Sequence, residues 1–422
     1  MALASCGKVL LAAKKSLISR QSQCLIGYCT NSSSITTTSL IQKLIHQPIS
    51  RIKATLDSED NNNLTFKSSE FPWDALVTAL KSSSPQKAQL VVEWRLEKFR
   101  KENEGNHDCY SELISICGKM QNVPLALRVF TSMEAQGLTP TSSVFNALIS
   151  ACLSSGNLIT ALSLFEIMES SENYKPNSDT YNAFILAYAN LGNDKSMLAW
   201  YSAKMAAGFS ADLQTYEFLI SSCIKLKHYA DADKFYEEMM SAGIIPNVSI
   251  LKSMLVGLCE RRNLGDVKEM LKVIVDCGWE IDLAMVEKLV KLYYEVGTVE
   301  EMEDLLLTLT NSNKVREVLS RVHSAIIRMY AVSDRLDAVE YAVGRMLKQG
   351  MLFRCPDDVE KVICSYFRRK AHDRLDLFLE CIKVSHKLTR STYDLLVAGY
   401  RRAGLSEKLD WVMIDMKLAG FL

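Results

Sequence analysis

The sequence predicts an all-α solenoid built from helix–turn–helix repeats of about 35 residues. Three observations carry that reading. A glycine closes an apolar run at Gly137, Gly208, Gly243, Gly278, Gly350 and Gly420, at intervals of 71, 35, 35, 72 and 70 residues, near whole multiples of 35. The clearest units open with an aromatic at their fourth residue: Tyr110, Phe145, Tyr181 and Tyr216. Two apolar stripes at helical spacing follow in each unit, such as Phe145, Leu148, Ile149 and Cys152, then Ala161, Leu164, Phe165 and Met168 beyond the break Ser155, Gly156, Asn157. A fixed period of this size marks stacked supersecondary units. Neither helix can bury its stripe alone, so neighbours must stack.

Taken in order, residues 1–56 hold no acidic side chain but seven basic ones (Lys8, Lys14, Lys15, Arg20, Lys43, Arg51, Lys53), with a hydroxyl-rich run from Ser32 to Ser39. That composition is expected of an organellar transit peptide. A basic amphipathic helix over 16–29 points to the mitochondrion, with the chloroplast as the alternative. Residues 57–70 are polar and read as a linker, and "FPWDALVTAL" with "KAQLVVEWRLEKFRKENE" reads as a capping hairpin, so that 57–106 forms linker and cap. The array occupies 107–422 as nine units starting near 107, 142, 178, 213, 248, 283, 320, 356 and 390. The later units are degenerate, and the unit at Leu283 is expected to lose part of its second helix.

The segments "TYNAFILAYANLGN" (180–193) and "DADKFYEEMMSAGIIPN" (231–247), with the Gly243–Pro246–Asn247 close, resemble the pentatricopeptide repeat family, of the type without an appended catalytic domain. The tetratricopeptide family, at 34 residues with a Trp–Leu–Gly opening, fits less well. The resemblance covers about 107–422 and implies a right-handed superhelix that binds single-stranded organellar RNA, one base per unit. It implies that the fifth and last residues of a unit hydrogen-bond one base edge. On this chain Asn146 with Asn177 is similar to a cytosine-preferring pair, Asn182 with Asp212 to a uracil-preferring pair, and Ser111 with Thr141 is chemically plausible. The thirteenth residue, where the family tends to carry a phosphate-contacting cation, is basic at Lys119, Lys225, Arg368 and Arg402. The other readings are that asparagine suits a helix start and that these cations answer the helix dipole. Beyond the third unit the fifth residue becomes Glu217, Lys252, Glu287, Ser324, Glu360 and Asp394, and no second residue through Ala284 is a valine or isoleucine wedge.

Composition narrows the function further. The chain has 48% apolar and 23% charged residues, and no run approaches the roughly 18 apolar residues of a membrane span. Its net charge of zero hides an acidic body: residues 57–319 carry 24 basic and 36 acidic side chains, and 320–422 carry 18 and 13. Twelve cysteines show no CxxC and no zinc-ligand spacing, so no metal and no cofactor is expected. Cys117, Cys152 and Cys223 share one register and read as small core residues. His107, Asp108 and Cys109 are consecutive and cannot converge as a triad, no zinc-deaminase signature is present, and the chain is expected to be non-enzymatic. Two functions remain open: a monomeric RNA-binding adaptor in RNA processing, stability or translation, and a scaffold whose partners are organellar ribonucleoprotein or ribosomal proteins.

Overall fold

The computed structural model describes residues 33–62, 71–102, 106–279, 281–311, 316–353, 355–383 and 386–421. These residues form twenty-two α-helices and, among them, no strand. They divide between Ile244 and Ile245 into two compact units.

In the first unit, α1 (Ser33–His46) and α2 (Ile52–Asn62) pack on α3 (Trp73–Ser83) and α4 (Pro85–Glu102). Leu40, Leu44, Ile52 and Leu56 are buried there, the Trp94 indole N–H donates to Asp57 at 2.7 Å, and Lys87 donates to the carbonyls of Leu44 and Ile45. The expected leader boundary at residue 56 therefore falls inside a packed helix, and residues 57–62 continue that helix instead of opening a linker. The expected amphipathic helix over 16–29 lies outside the described residues. The expected capping hairpin is α3 and α4, broken at Ser84 with Pro85 opening the second helix.

Four hairpins follow. They are α5 (His107–Lys119) with α6 (Val123–Ala135), α7 (Ser142–Ser154) with α8 (Leu158–Glu169), α9 (Ser178–Asn190) with α10 (Asp194–Ala206), and α11 (Leu213–Lys225) with α12 (Tyr229–Ser241). Each inner helix touches its own outer helix, and the four inner helices touch one another in sequence. The fourth-position aromatics Tyr110, Phe145, Tyr181 and Tyr216 lie in that core, as do Cys117, Cys152 and Cys223. Burying one such aromatic or leucine contributes roughly 1.5–3 kcal/mol. Burial pushes the Cys117 thiol up to about 12 and that of Cys223 to about 11, so both stay protonated. Trp200 stacks on Phe184 at 4.0 Å and meets Phe165 edge-on at 5.0 Å, tying three successive helices together.

The second unit repeats the plan with α13 (Val248–Glu260) and α14 (Leu264–Asp276), α15 (Leu283–Val296) and α16 (Val299–Asn311), and α17 (Arg316–Val332) and α18 (Leu336–Lys348). It continues with α19 (Pro356–Arg368) and α20 (His372–Lys383), then α21 (Arg390–Ala403) and α22 (Ser406–Leu418). The unit at Leu283 corrects the sequence reading, because α16 is a full 13-residue helix. The irregularity sits instead in its inner turn, where Gly297 has φ −87° rather than a left-handed conformation, and in α17, which starts at Arg316, ahead of the expected Ser320.

All six period glycines adopt positive φ, from 68° at Gly350 to 85° at Gly208, the left-handed cap that ends a helix. A second left-handed position closes the inner helix of most units. There Gly156, Gly192 and Gly404 alternate with Gln121, Lys227, Arg262, Asp334 and Lys370, which have side chains at φ of 54–64°. Left-handed backbone costs a residue with a Cβ about 1–2 kcal/mol. Lys227→Gly should therefore raise the thermal unfolding midpoint, read by far-UV circular dichroism. The opposite is expected of Gly118→Ala. A Cβ there would stand 2.7 Å from the Ala151 Cα, forcing α5 and α7 apart. Overpacking of about 1–3 kcal/mol outweighs the helix-propensity gain of at most about 1 kcal/mol, so the midpoint should fall.

Candidate nucleic-acid interface

Where an inner helix opens on an asparagine or aspartate N-cap, the capping bond fixes the side chain of the last residue of the unit before it. Asn177 Oδ1 accepts from the Thr180 N–H at 3.1 Å, and Asp212 Oδ1 from the Thr215 N–H at 2.8 Å. In both caps the threonine hydroxyl accepts in turn from the cap's own N–H, a reciprocal capping box. Asn247 and Asp282 accept the corresponding N–H at the heads of α13 and α15, without the reciprocal bond. Asn177, Asp212 and Asp282 are each held beside the fifth residue of the preceding inner helix.

The expected pairs can now be placed. Asn146 Nδ2 donates to Asn177 Oδ1 at 2.9 Å, and Asn146 Oδ1 accepts from the Thr180 hydroxyl at 2.6 Å. Both amide oxygens of this pair accept protein hydrogen bonds, so the capacity it has left is chiefly that of amide N–H donors. Asn182 Nδ2 lies 3.3 Å from both carboxylate oxygens of Asp212 and 3.4 Å from Gln214 Oε1. Its Oδ1 accepts from Lys204 Nζ at 3.0 Å and the Thr215 hydroxyl at 2.8 Å. An ammonium can only donate, so Lys204 fixes which way this amide faces. Asn182 is 2% exposed and Lys204 0%, whereas the Asp212 side chain keeps 44% of its surface. This second pair therefore offers a carboxylate to the solvent and holds its amide behind it.

Ser111 and Thr141 are not brought together. Ser111 donates to the Ser143 carbonyl at 3.3 Å and accepts from the Ser143 hydroxyl at 3.1 Å, while the Thr141 hydroxyl is buried without a partner. A fifth-and-last pair that the sequence reading passed over does form: Lys252 Nζ meets Asp282 Oδ2 at 2.7 Å. Its signal was present in the cap aspartate 30 residues downstream, but lysine lies outside the family's base-reading residues.

The four cations differ in availability. Lys225 is exposed and carries no ion pair among the described residues. Lys119 reaches Asp74 at 2.8 Å, an exposed pair that contributes little and can be exchanged for another anion. Arg368 and Arg402 line one groove of about 620 Å³ with Lys370, His372 and Phe367. Arg368 is held by Asp334 at 2.7 Å, and Arg402 is exposed. A Cβ on Gly399 would stand 2.2 Å from the Phe367 ring, so this glycine lets the ring seat in the groove floor.

Among the described residues no group of three metal-ligating side chains converges, and no helix is long and apolar enough to cross a membrane. The Asp212 carboxyl is pulled two ways. Burial raises it, while the Thr215 N–H, the Thr215 and Ser178 hydroxyls and Lys204 together outweigh burial and hold it near 2, below its ordinary 3.8. A depressed carboxyl contributes stability above its unfolded value and loses it as pH falls through the folded one. Acid titration followed by circular dichroism should therefore show a stability loss between about pH 4 and pH 2 that is smaller in Asp212→Asn.

Family models match three stretches: a pentatricopeptide repeat domain over 100–155, the PPR repeat family over 140–190, and the PPR repeat over 214–244 and 391–421. Among curated relatives, the small ribosomal subunit protein mL103 (rPPR7) of Arabidopsis thaliana is 26% identical over 207 residues, covering 48% of this chain and 50% of its own. The mitochondrial pentatricopeptide repeat-containing protein 1 of Rattus norvegicus is 27% identical over 185 residues, covering 42% of this chain and 26% of its own. The chain thus spans half or less of the length of these relatives. Among solved structures, the pentatricopeptide repeat protein PPR10 in complex with an 18-nt psaJ RNA element aligns at 18% identity with a TM-score of 0.49, over 99% of this chain and 60% of that one. With its period and paired helices, the chain thus carries stretches at 100–190, 214–244 and 391–421 that match pentatricopeptide repeats.

Proposed function

We propose that this protein is a non-enzymatic, organellar adaptor that binds single-stranded RNA through the inner helices of its units, as a monomer. The observation that carries the reading is the pairing of fifth and last residues in two successive units, at 2.9 Å and 3.3 Å. The donor edge of Asn146 and Asn177 complements the two acceptors, N3 and O2, that cytosine presents. The exposed Asp212 carboxylate complements the N3–H of uracil. A neighbouring cytosine and uracil are therefore the recognised core, with Lys225, Lys119 and the Arg368–Arg402 groove meeting phosphates. Among the described residues two asparagine-containing pairs of this kind form, and the body is acidic, so affinity is modest and weakens steeply with salt. What the RNA undergoes (processing, stabilisation or translation) follows from partners that this interface recruits.

The acid-free N-terminus and the mitochondrial name of the rat relative support the mitochondrion, with the chloroplast as the alternative. The burial of Leu40, Leu44, Ile52 and Leu56 supports a leader that ends before residue 40 rather than at the expected residue 56.

A second reading, a structural subunit of an organellar ribonucleoprotein such as the ribosome, is favoured by one relative's name, small ribosomal subunit protein mL103. The Lys252–Asp282 ion pair, which fills a base-reading position with a closed contact, supports it too.

Selection from random RNA pools at low salt should enrich a cytosine–uracil step. Asn146→Asp and Asn182→Asp should each weaken the selected RNA about tenfold, the scale of one base contact at roughly 1–3 kcal/mol. Unselective binding indifferent to both substitutions would remove the base-reading part. Absence of RNA affinity together with co-purification of ribosomal proteins would favour the scaffold.

A further inference from the structure

The outer helices of the second unit carry a feature that RNA binding does not use. The sixth residue of each outer helix faces away from the stack. Along the chain it reads Arg128, Ser163, Ala199, Lys234, Glu269 and Asp304, then changes to Tyr341, Leu377 and Trp411. These last three are 70%, 63% and 42% exposed, although aromatic and leucine side chains of that size normally seek burial. Ion pairs lay their helices side by side. Arg374 of α20 reaches back to Asp337 and Glu340 of α18 at 2.6 and 2.8 Å, and Lys408 of α22 reaches Asp373 and Asp376 of α20 at 2.6 and 2.7 Å. The three apolar side chains therefore form one row across adjacent helices, extended along α22 by Ile414 at 61% exposure.

The charge around the row selects among occupants. Arg345 stands over the Tyr341 ring at 5.7 Å and Lys383 over the Trp411 ring at 3.9 Å, and these two, Arg374 and Lys408 are each neutralised by a carboxylate. Lys348 and Lys417 sit in last turns, where they answer the helix dipole. Glu380, Glu407 and Asp410 are exposed and carry no ion pair among the described residues. A row of tyrosine, leucine and tryptophan rimmed by unpaired carboxylates repels RNA and attracts an apolar surface flanked by cations. Tyrosine and tryptophan are also the residues that dominate binding energy where protein surfaces meet.

We propose that the Tyr341–Leu377–Trp411 row is the docking face for a basic amphipathic helix of a partner protein. Adjacent packed helices lie about 8–10 Å apart, and a helix rises 1.5 Å per residue. The partner segment thus places apolar residues about seven apart (i, i+7, i+14), with lysines or arginines on both flanks. The row lies on outer helices and is independent of the base-reading pairs, so either proposal can fail alone.

The test is site-specific photocrosslinking. The full chain carrying p-benzoylphenylalanine in place of Leu377 is irradiated in isolated organelles, and the crosslinked peptide is sequenced. The expected product is a protein adduct mapping to a basic amphipathic segment, at least tenfold more abundant than from the same substitution at Glu269. The combined Glu380→Lys, Glu407→Lys and Asp410→Lys variant should lower the yield at least fivefold with an unchanged thermal midpoint. The crosslinked segment, made as a labelled peptide, should bind the purified chain at least tenfold more weakly after Tyr341→Ser, Leu377→Ser and Trp411→Ser together. An adduct with RNA or with a second copy of this chain overturns the proposal. So does an acidic or non-periodic crosslinked segment, or equal yield from Glu269.

Discussion

The described helices of this chain each carry an apolar face that they cannot cover by themselves. Everything else depends on the resulting obligation to stack. It places Tyr110, Phe145, Tyr181 and Tyr216 in the core of the first unit, and it allows Gly118 to stand against the Ala151 backbone. It also sets what remains outside: short turns, helix starts and the outward rows of the outer helices. Function in such a protein is confined to surfaces that stacking leaves over.

The helix starts show how one residue comes to serve two ends. Asn177 and Asp212 satisfy orphan backbone N–H groups at the head of α9 and α11, which is reason enough for their identity. The same geometry leaves each cap against the fifth residue of the preceding inner helix. A capping network thus becomes a preorganised polar edge, with no loop to order and little entropy to lose on binding. Lys204 carries the principle further, since a buried ammonium can be tolerated only where three acceptors converge on it, here Asn182, Asp212 and Thr215.

The fold was largely legible because its signals are periodic. The glycines, fourth-position aromatics and register cysteines all land where spacing placed them, since each answers a local demand repeated in every unit. What escaped was aperiodic or tertiary. Helix α1 and the head of α2 lie in the acid-free stretch 1–56, whose composition reads as a leader, although Leu40, Leu44, Ile52 and Leu56 already marked two apolar faces. The unit at Leu283, expected to lose part of its second helix, keeps that helix whole and departs from the period in the turn at Gly297. At the site, spacing brought Asn146 to Asn177 and Asn182 to Asp212. Spacing could not reveal that Lys204, on a different helix, closes over one of them, nor that Ser111 turns to Ser143 instead of Thr141.

The register cysteines have a chemical consequence. Cys117, Cys152, Cys223 and Cys259 lie buried along the inner helices, and burial raises all four thiols, that of Cys259 to about 12. A thiol that stays protonated is a poor nucleophile toward peroxide or an alkylating reagent. Among the described cysteines Cys381 is the exposed one, so a brief pulse of reagent labels the outer face of α20 and spares the interior. Label appearing on the buried set would then record the hairpins of α5, α7, α11 and α13 parting from their neighbours. The stack carries its own footprinting probes.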